Sequence, residues 1–234
     1  MSAFGDALLY LNDPLNWTKP RGLLELFGEH LTISGVAVGV AVVIALPVAI
    51  WFGHTGRGGG FAVALSNVSR AVPTLALLTV FAVTPIGFGN RATTIALALF
   101  AIPPILTNTY VGFREVDRDI LEAARAMGMS ARQLIVKVEL PLAIPGIMTG
   151  LRTSTVQVVA TATLAPLVGG GGLGRPIVLG FGLQDEGLIL AGAFLVALLA
   201  LVVEFVLVGL SRLVSPNVGR QRLPRSRRLA AEPA

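Results

Sequence analysis

Arg70, Arg152 and Glu204 sit where charge is costly, inside runs otherwise apolar enough for lipid. Counted inward at about 1.5 Å per helical residue, they lie about 14, 17 and 11 Å deep, so three segments place a charge at one depth. A charge at that depth needs a partner or a water-filled path. Glu204 is therefore expected to pair with Arg152 or with Arg70, holding segments together; direct contact with a solute is the other reading. Uncharged polar groups share these runs: Ser66, Asn67 and Ser69, then Thr107, Asn108 and Thr109, then Thr153, Ser154, Thr155, Gln157, Thr161 and Thr163. Asn67, Asn108, Thr153, Ser154, Gln157 and Thr161 are the candidate pathway set. Hydroxyls on membrane helices serve equally as packing glue.

A second group of polar residues lies in the run EAARAMGMSARQLIVKVELP, residues 122–141. Asp119 followed by Glu122 suits a helix N-cap with a reciprocating residue three further on. The helix this opens stops at Gly128, a natural left-handed residue. Ser130 with Gln133 makes a second start signal, so two short helices joined by a tight glycine turn are predicted. Ile120, Ala123, Ala124 and Met127 form an apolar stripe that nothing inside one chain obviously needs, and it reads as a docking face.

Other chemistry is excluded or weak. The chain has no cysteine, hence no thiol or disulfide chemistry. His30 and His54 stand near opposite ends of one apolar run, too far apart to share a site, and no H-E-x-x-H is present. No G-x-x-x-x-G-K-[ST] run exists to cradle a triphosphate. GGGGLG at 169–174 satisfies G-x-G-x-x-G, but a dinucleotide site needs a preceding strand and a following helix. A flexible turn near an outer gate is the expected role.

The elements that must position these groups follow from composition. The 234 residues are 54% hydrophobic and 13% charged, with mean hydropathy +0.78; a soluble domain carries about 25% charged residues. Spans of about 20 residues explain the difference. Five are predicted, at 31–52, 61–83, 92–113, 142–168 and 188–211. An all-α integral membrane protein follows, with residues 1–30 as an extracytoplasmic or interfacial segment, 31–212 as the transmembrane domain and 213–234 as a basic, disordered cytoplasmic tail. Leu23, Leu24, Leu26, Phe27 and Leu31 suit either a helix lying at the interface or a polar extension of the first span. Pro47, Pro73, Pro103, Pro104 and Pro145 mark expected bends, and Gly35/Gly39 and Gly146/Gly150 expected close contacts.

Orientation follows from Lys and Arg. A cytoplasmic carboxyl end puts Arg57, Arg114, Arg118, Arg125, Arg132, Lys137 and the tail arginines inside, leaving Lys19, Arg21, Arg91 and Arg175 outside. The polar run 114–141 then lies in the cytoplasm, between the third and fourth spans. The basic balance belongs to anionic lipid and topology rather than to nucleic acid.

E-A-A at 122–124, Gly128 after three residues, then nine residues to V-E-L-P resembles the EAA loop of ABC-importer permeases, with Val138 in the place of that pattern's isoleucine. The resemblance runs over about residues 30 to 212. It implies that Glu122, Ala123, Ala124, Met127 and Gly128 couple the spans to a separate ATPase subunit, which binds ATP and Mg in place of this chain. It implies further partners: two ATPase subunits, a second permease chain (a copy or a paralogue) and an extracytoplasmic substrate-binding protein, at the bacterial inner membrane. PPILTNTYVGFREVD, EAARAMGMSARQLIVKVELPLAIPGIMTGLRTST and GGGGLGRPI are most similar to permeases for osmoprotectants such as glycine betaine, choline or carnitine. The same machine for another solute such as methionine, and a passive channel, are the alternatives.

Overall fold

The computed structural model describes residues 2–215, with the side chain of Arg70 left out, so the expected tail lies outside the described residues. Two short helices come first, α1 (Ala3–Asn12) and α2 (Pro14–Thr18), capped by Ser2 and Asp13. α3 (Leu23–Thr55) is one unbroken helix from Gly22 to a left-handed Gly56. Residues 23–30 therefore extend the first span and do not form a separate interfacial helix. Of the expected bends, Pro47, Pro103, Pro104 and Pro145 all lie inside continuous helices.

α4 (Gly59–Ala71) and α5 (Thr74–Ala82) replace the single span expected at 61–83. They meet at 82°. Val72 is extended (ψ 119°) and Pro73 follows it, as a proline forces on the residue before it. α6 (Asn90–Arg114) comes next, then α7 (Arg118–Ala126) and α8 (Ala131–Leu134). A π-helical turn, Ile135–Glu139, leads into α9 (Leu140–Thr161). Pro141 has no N–H for the Lys137 carbonyl, and in the π turn the Leu140 N–H reaches back to Ile135 instead. A 3-10 turn (Ala162–Val168), α10 (Gly174–Leu183) and α11 (Glu186–Val214) complete the chain.

Among the described residues, four helical runs are long and apolar enough to cross a bilayer: α3, α6, Ala131–Val168 and α11; the bent α4–α5 pair makes a fifth if it counts as one crossing. At the centre, α3 packs on α6 and α6 on α9. α3 turns Ala37, Ala41, Ala45 and Ala49 inward, all fully buried against Leu97, Ala98, Ala101 and Ile105. Methyl side chains at every fourth position let the two backbones come close. α6 and α9 come closer still, where a Cβ on Gly146 would stand 2.6 Å from the Gly112 Cα. Gly150 faces Asn108 and the Pro104 carbonyl in the same crossing. Gly35 and Gly39 differ from the expectation: no other element among the described residues comes within 4 Å of a Cβ there.

Candidate functional site

Two features stand out, a polar cavity among the long helices and an elbow at one end of them. The cavity, about 770 Å³, lies between α4, α6, α9 and α11. α6 lines it with Phe100, Pro104, Thr107 and Asn108, and α9 with Arg152, Thr153, Val156, Gln157 and Ala160. Both sets are spaced for one helical face. Ser66 and Ser69 come from α4 and Glu204 from α11.

Arg152 Nε lies 2.6 Å from Glu204 Oε1, an ion pair that joins α9 to α11. Arg70 belongs to α4 one residue after Ser69, and its side chain lies outside the described residues. Asn108, a lining residue, donates from Nδ2 to the Pro104 carbonyl of its own helix (2.8 Å).

Three of the candidate pathway residues do not line this cavity. Ser154 is fully buried and donates to the Ala101 carbonyl at 2.9 Å, a tie between α9 and α6. Thr161 Oγ1 returns to the Gln157 carbonyl of its own helix. Asn67 is exposed on a different face of α4 from Ser66 and Ser69. Thr109, buried beside Asn108, has no hydrogen-bond partner among the described residues.

The elbow consists of α7 and α8. Its first cap is Asp117, whose carboxylate accepts from the Asp119 N–H (2.9 Å); Asp119 itself lies in the first turn and is not the cap. The helix ends at Gly128 (φ 81°), where Gly128 N–H donates to the Arg125 carbonyl and Met129 N–H to that of Ala124. This paired pattern closes a helix with a left-handed residue. Ser130 and Gln133 then form a reciprocal capping box that starts α8.

The faces of α7 are unequal. Ile120, Ala123 and Met127 point away from the bundle, Met127 being 72% exposed. Ala124, expected on that stripe, is turned inward and only 3% exposed. The opposite face, Arg118, Leu121, Glu122 and Arg125, lines a cavity of about 280 Å³ together with His54, Arg114 and Glu139. There His54 Nδ1 donates to Glu139 Oε2 at 2.7 Å, with Glu139 only 3% exposed. Nothing in the sequence pairs these two residues. The one signal was a carboxylate two residues before Pro141, at the mouth of an apolar run.

At the far end of the bundle the glycine-rich turn is held, not loose. Gly171 N–H donates to Asn90 Oδ1 (2.8 Å), Gly172 N–H to Glu29 Oε2 (3.0 Å) and Leu173 N–H to His30 Nδ1 (3.2 Å). Because His30 Nδ1 accepts, Nε2 carries the hydrogen and donates to the Val159 carbonyl at 2.9 Å. Such side chains look polar without purpose in the sequence; they fasten a loop to α3 and α6.

Residues 41–220 match the family described as binding-protein-dependent transport system inner membrane component. The chain belongs to this family. The permease is thus a transport subunit of an ABC importer and not an enzyme. It is 37% identical over 209 residues to the glycine betaine/carnitine/choline transport system permease protein OpuCB of Bacillus subtilis, covering 88% of this chain and 96% of that protein. It is 42% identical over 201 residues to the carnitine transport permease protein OpuCB of Listeria monocytogenes, covering 86% and 92%. Among solved structures, the permease resembles a chain of the inward-facing MetNI methionine ABC transporter, with TM-score 0.73, 25% identity and 87% and 99% of the two chains covered. The all-α, multi-span fold is that of ABC-importer permeases, placing the protein in the inner membrane as a multi-pass subunit.

Proposed function

We propose that the permease carries quaternary-amine osmoprotectants such as glycine betaine, choline or carnitine across the inner membrane, driven by ATP hydrolysis on separate subunits. The chain crosses five times, with α4 and α5 together forming the second crossing, its amino end outside and its carboxyl end inside. Two ATPase subunits, a second permease chain and an external binding protein complete the machine. Support for the substrate class comes from relatives 37–42% identical over most of the chain, whose names give these solutes. They outweigh the methionine transporter, at 25% identity.

The observation that carries the coupling mechanism is the outward apolar face of α7. Ile120, Ala123 and Met127 are left exposed by the described residues, while Glu122 and Arg125 on the other face look back toward α3 and α6. A small apolar face on a helix locked by two caps can seat in a cleft of a neighbouring subunit, as the EAA pattern implies. Motion of that subunit then reaches the spans through two short paths, the π turn into α9 and the His54–Glu139 contact with α3. The cavity lined by Asn108, Thr153 and Gln157 is the part of the route contributed by this chain.

The test is purification from native membrane followed by reconstitution. An ATPase and a binding protein should accompany the chain, and glycine betaine should stimulate ATP hydrolysis. Stimulation by methionine alone would overturn the substrate reading. Conduction without any ATPase would overturn the coupled mechanism.

A further inference from the structure

We propose that the Arg152–Glu204 pair is a transit site for zwitterions, opening so that Arg152 takes the solute carboxylate while Glu204 faces the quaternary ammonium. The inference deepens the function proposed above and rests on it. Both side chains line the large cavity; Arg152 is 49% and Glu204 26% exposed. A pair serving only to hold helices together has no need to face open space.

The guanidinium is also underused. Its ion pair with Glu204 is made through Nε, and it donates no hydrogen bond to another residue among the described residues. Arginine carries five donors in a rigid fork, and a second carboxylate can be held through the terminal nitrogens. Among the described residues, the other groups lining the cavity, including Thr107, Asn108, Thr153 and Gln157, are uncharged, so they can solvate a dipole without competing for either charge.

Charge balance then selects the solute. In a low-dielectric cavity an unpaired charge is far more costly than in water. Inserting a zwitterion into the opened pair replaces one ion pair by two and leaves no charge unmatched. A cation lacking a carboxylate would meet Glu204 but strand Arg152; an anion would do the reverse. A quaternary ammonium is otherwise held by a box of aromatic rings, whereas Phe100 is the single aromatic lining residue among the described residues. Holding by charge exchange at a site without such a box is weak, and weak holding suits passage.

The experiment uses the complete transporter, with ATPase and binding protein, in proteoliposomes at equal amounts of inserted complex. The solutes are glycine betaine and a quaternary ammonium without a carboxylate that the same binding protein delivers, choline being the first choice. Arg152→Gln should lower glycine betaine uptake about tenfold and choline uptake less than about twofold, and the neutral double variant R152Q/E204Q should likewise lower glycine betaine uptake about tenfold. Arg152→Lys should retain most glycine betaine uptake. The double variant guards against misfolding, because it leaves no stranded charge. A shared binding protein means that a changed ratio reports the permease. Recovery of full glycine betaine uptake by R152Q/E204Q would make the pair a structural tie only and overturn the inference, as would equal losses of both solutes in Arg152→Gln. Failure of the unaltered transporter to move any quaternary amine would instead overturn the function on which it rests.

Discussion

His54, one residue before the end of α3, donates from Nδ1 to Glu139 in the π turn before α9, at 2.7 Å. The contact joins the first long helix to the elbow across 85 residues of sequence. Glu139 is nearly closed to solvent, so removing the imidazole leaves a buried carboxylate without its partner. His54→Ala should cost about 1–3 kcal/mol, the usual penalty for such an orphan. Glu139→Gln, which keeps an acceptor, should cost less. The thermal unfolding midpoint of the solubilised transporter reads both; a His54→Ala protein as stable as the unaltered one would show that this contact contributes nothing.

The two faces of α7 predict opposite failures. Met127→Asp or Ala123→Glu puts charge on the outward apolar face and should leave the protein inserted and stable while abolishing ATP-driven uptake. Ala124→Glu forces a carboxylate into a buried position and should lower stability itself. Pull-down of the ATPase subunit separates the cases. Retention of ATPase by Met127→Asp would remove the outward face from the interface.

Gly128 tests the turn between the two short helices. Its φ of 81° is a conformation costly for other residues, and Gly128→Ala should cost about 1–2 kcal/mol locally. Space is open around it, so the damage is conformational. Gly128→Glu should uncouple transport from ATP hydrolysis, seen as ATPase activity no longer matched by uptake. Normal uptake by Gly128→Glu would dismiss the turn as a joint.

Local signals were legible where a residue acts on its own neighbours. The Ser130–Gln133 box and the Gly128 stop lie within a few residues of what they cap, and the long apolar runs at 92–113 and 188–211 became α6 and α11 nearly unchanged. Pro73 breaking the second run was half legible, since a bend was foreseen but not one of 82°. Long-range partners were illegible: nothing near Glu139 names His54, and nothing near GGGGLG names Glu29, His30 and Asn90. Helical periodicity also mislaid Ala124. An apolar stripe read from one helix cannot tell which of its edges meets the rest of the same chain. Gly146 was legible as a close contact and Gly35 illegible as an open one, because small spacing licenses an approach without naming what approaches.

The α6–α9 crossing gives a sharp contrast between two glycines of similar sequence context. Gly146→Leu must drive a side chain into the Gly112 backbone, which neither helix can clear without separating. Overpacking of this kind typically costs about 1–3 kcal/mol and more where backbone must move. Gly35→Ala meets nothing among the described residues and should leave the thermal midpoint of the isolated chain unchanged. Equal stability of the two variants would mean that the helices do not cross at Gly112 and Gly146.

Glu204 supplies a prediction about stability separate from any role with solute. Glu204→Arg sets two cations side by side at mid-depth and leaves Arg152 without a counter-charge. The loss should fall below the about 3–5 kcal/mol of breaking a fully buried pair, because both side chains retain some access to the cavity. The exchanged variant R152E/E204R restores opposite charges between α9 and α11 and should recover most of the lost thermal midpoint. Pairing Glu204→Arg with Arg70→Glu instead should recover less, since the ion pair in the structure is with Arg152. If the Arg70 combination proved the better rescue, the Arg152 contact would not be the one that holds α11 to the bundle.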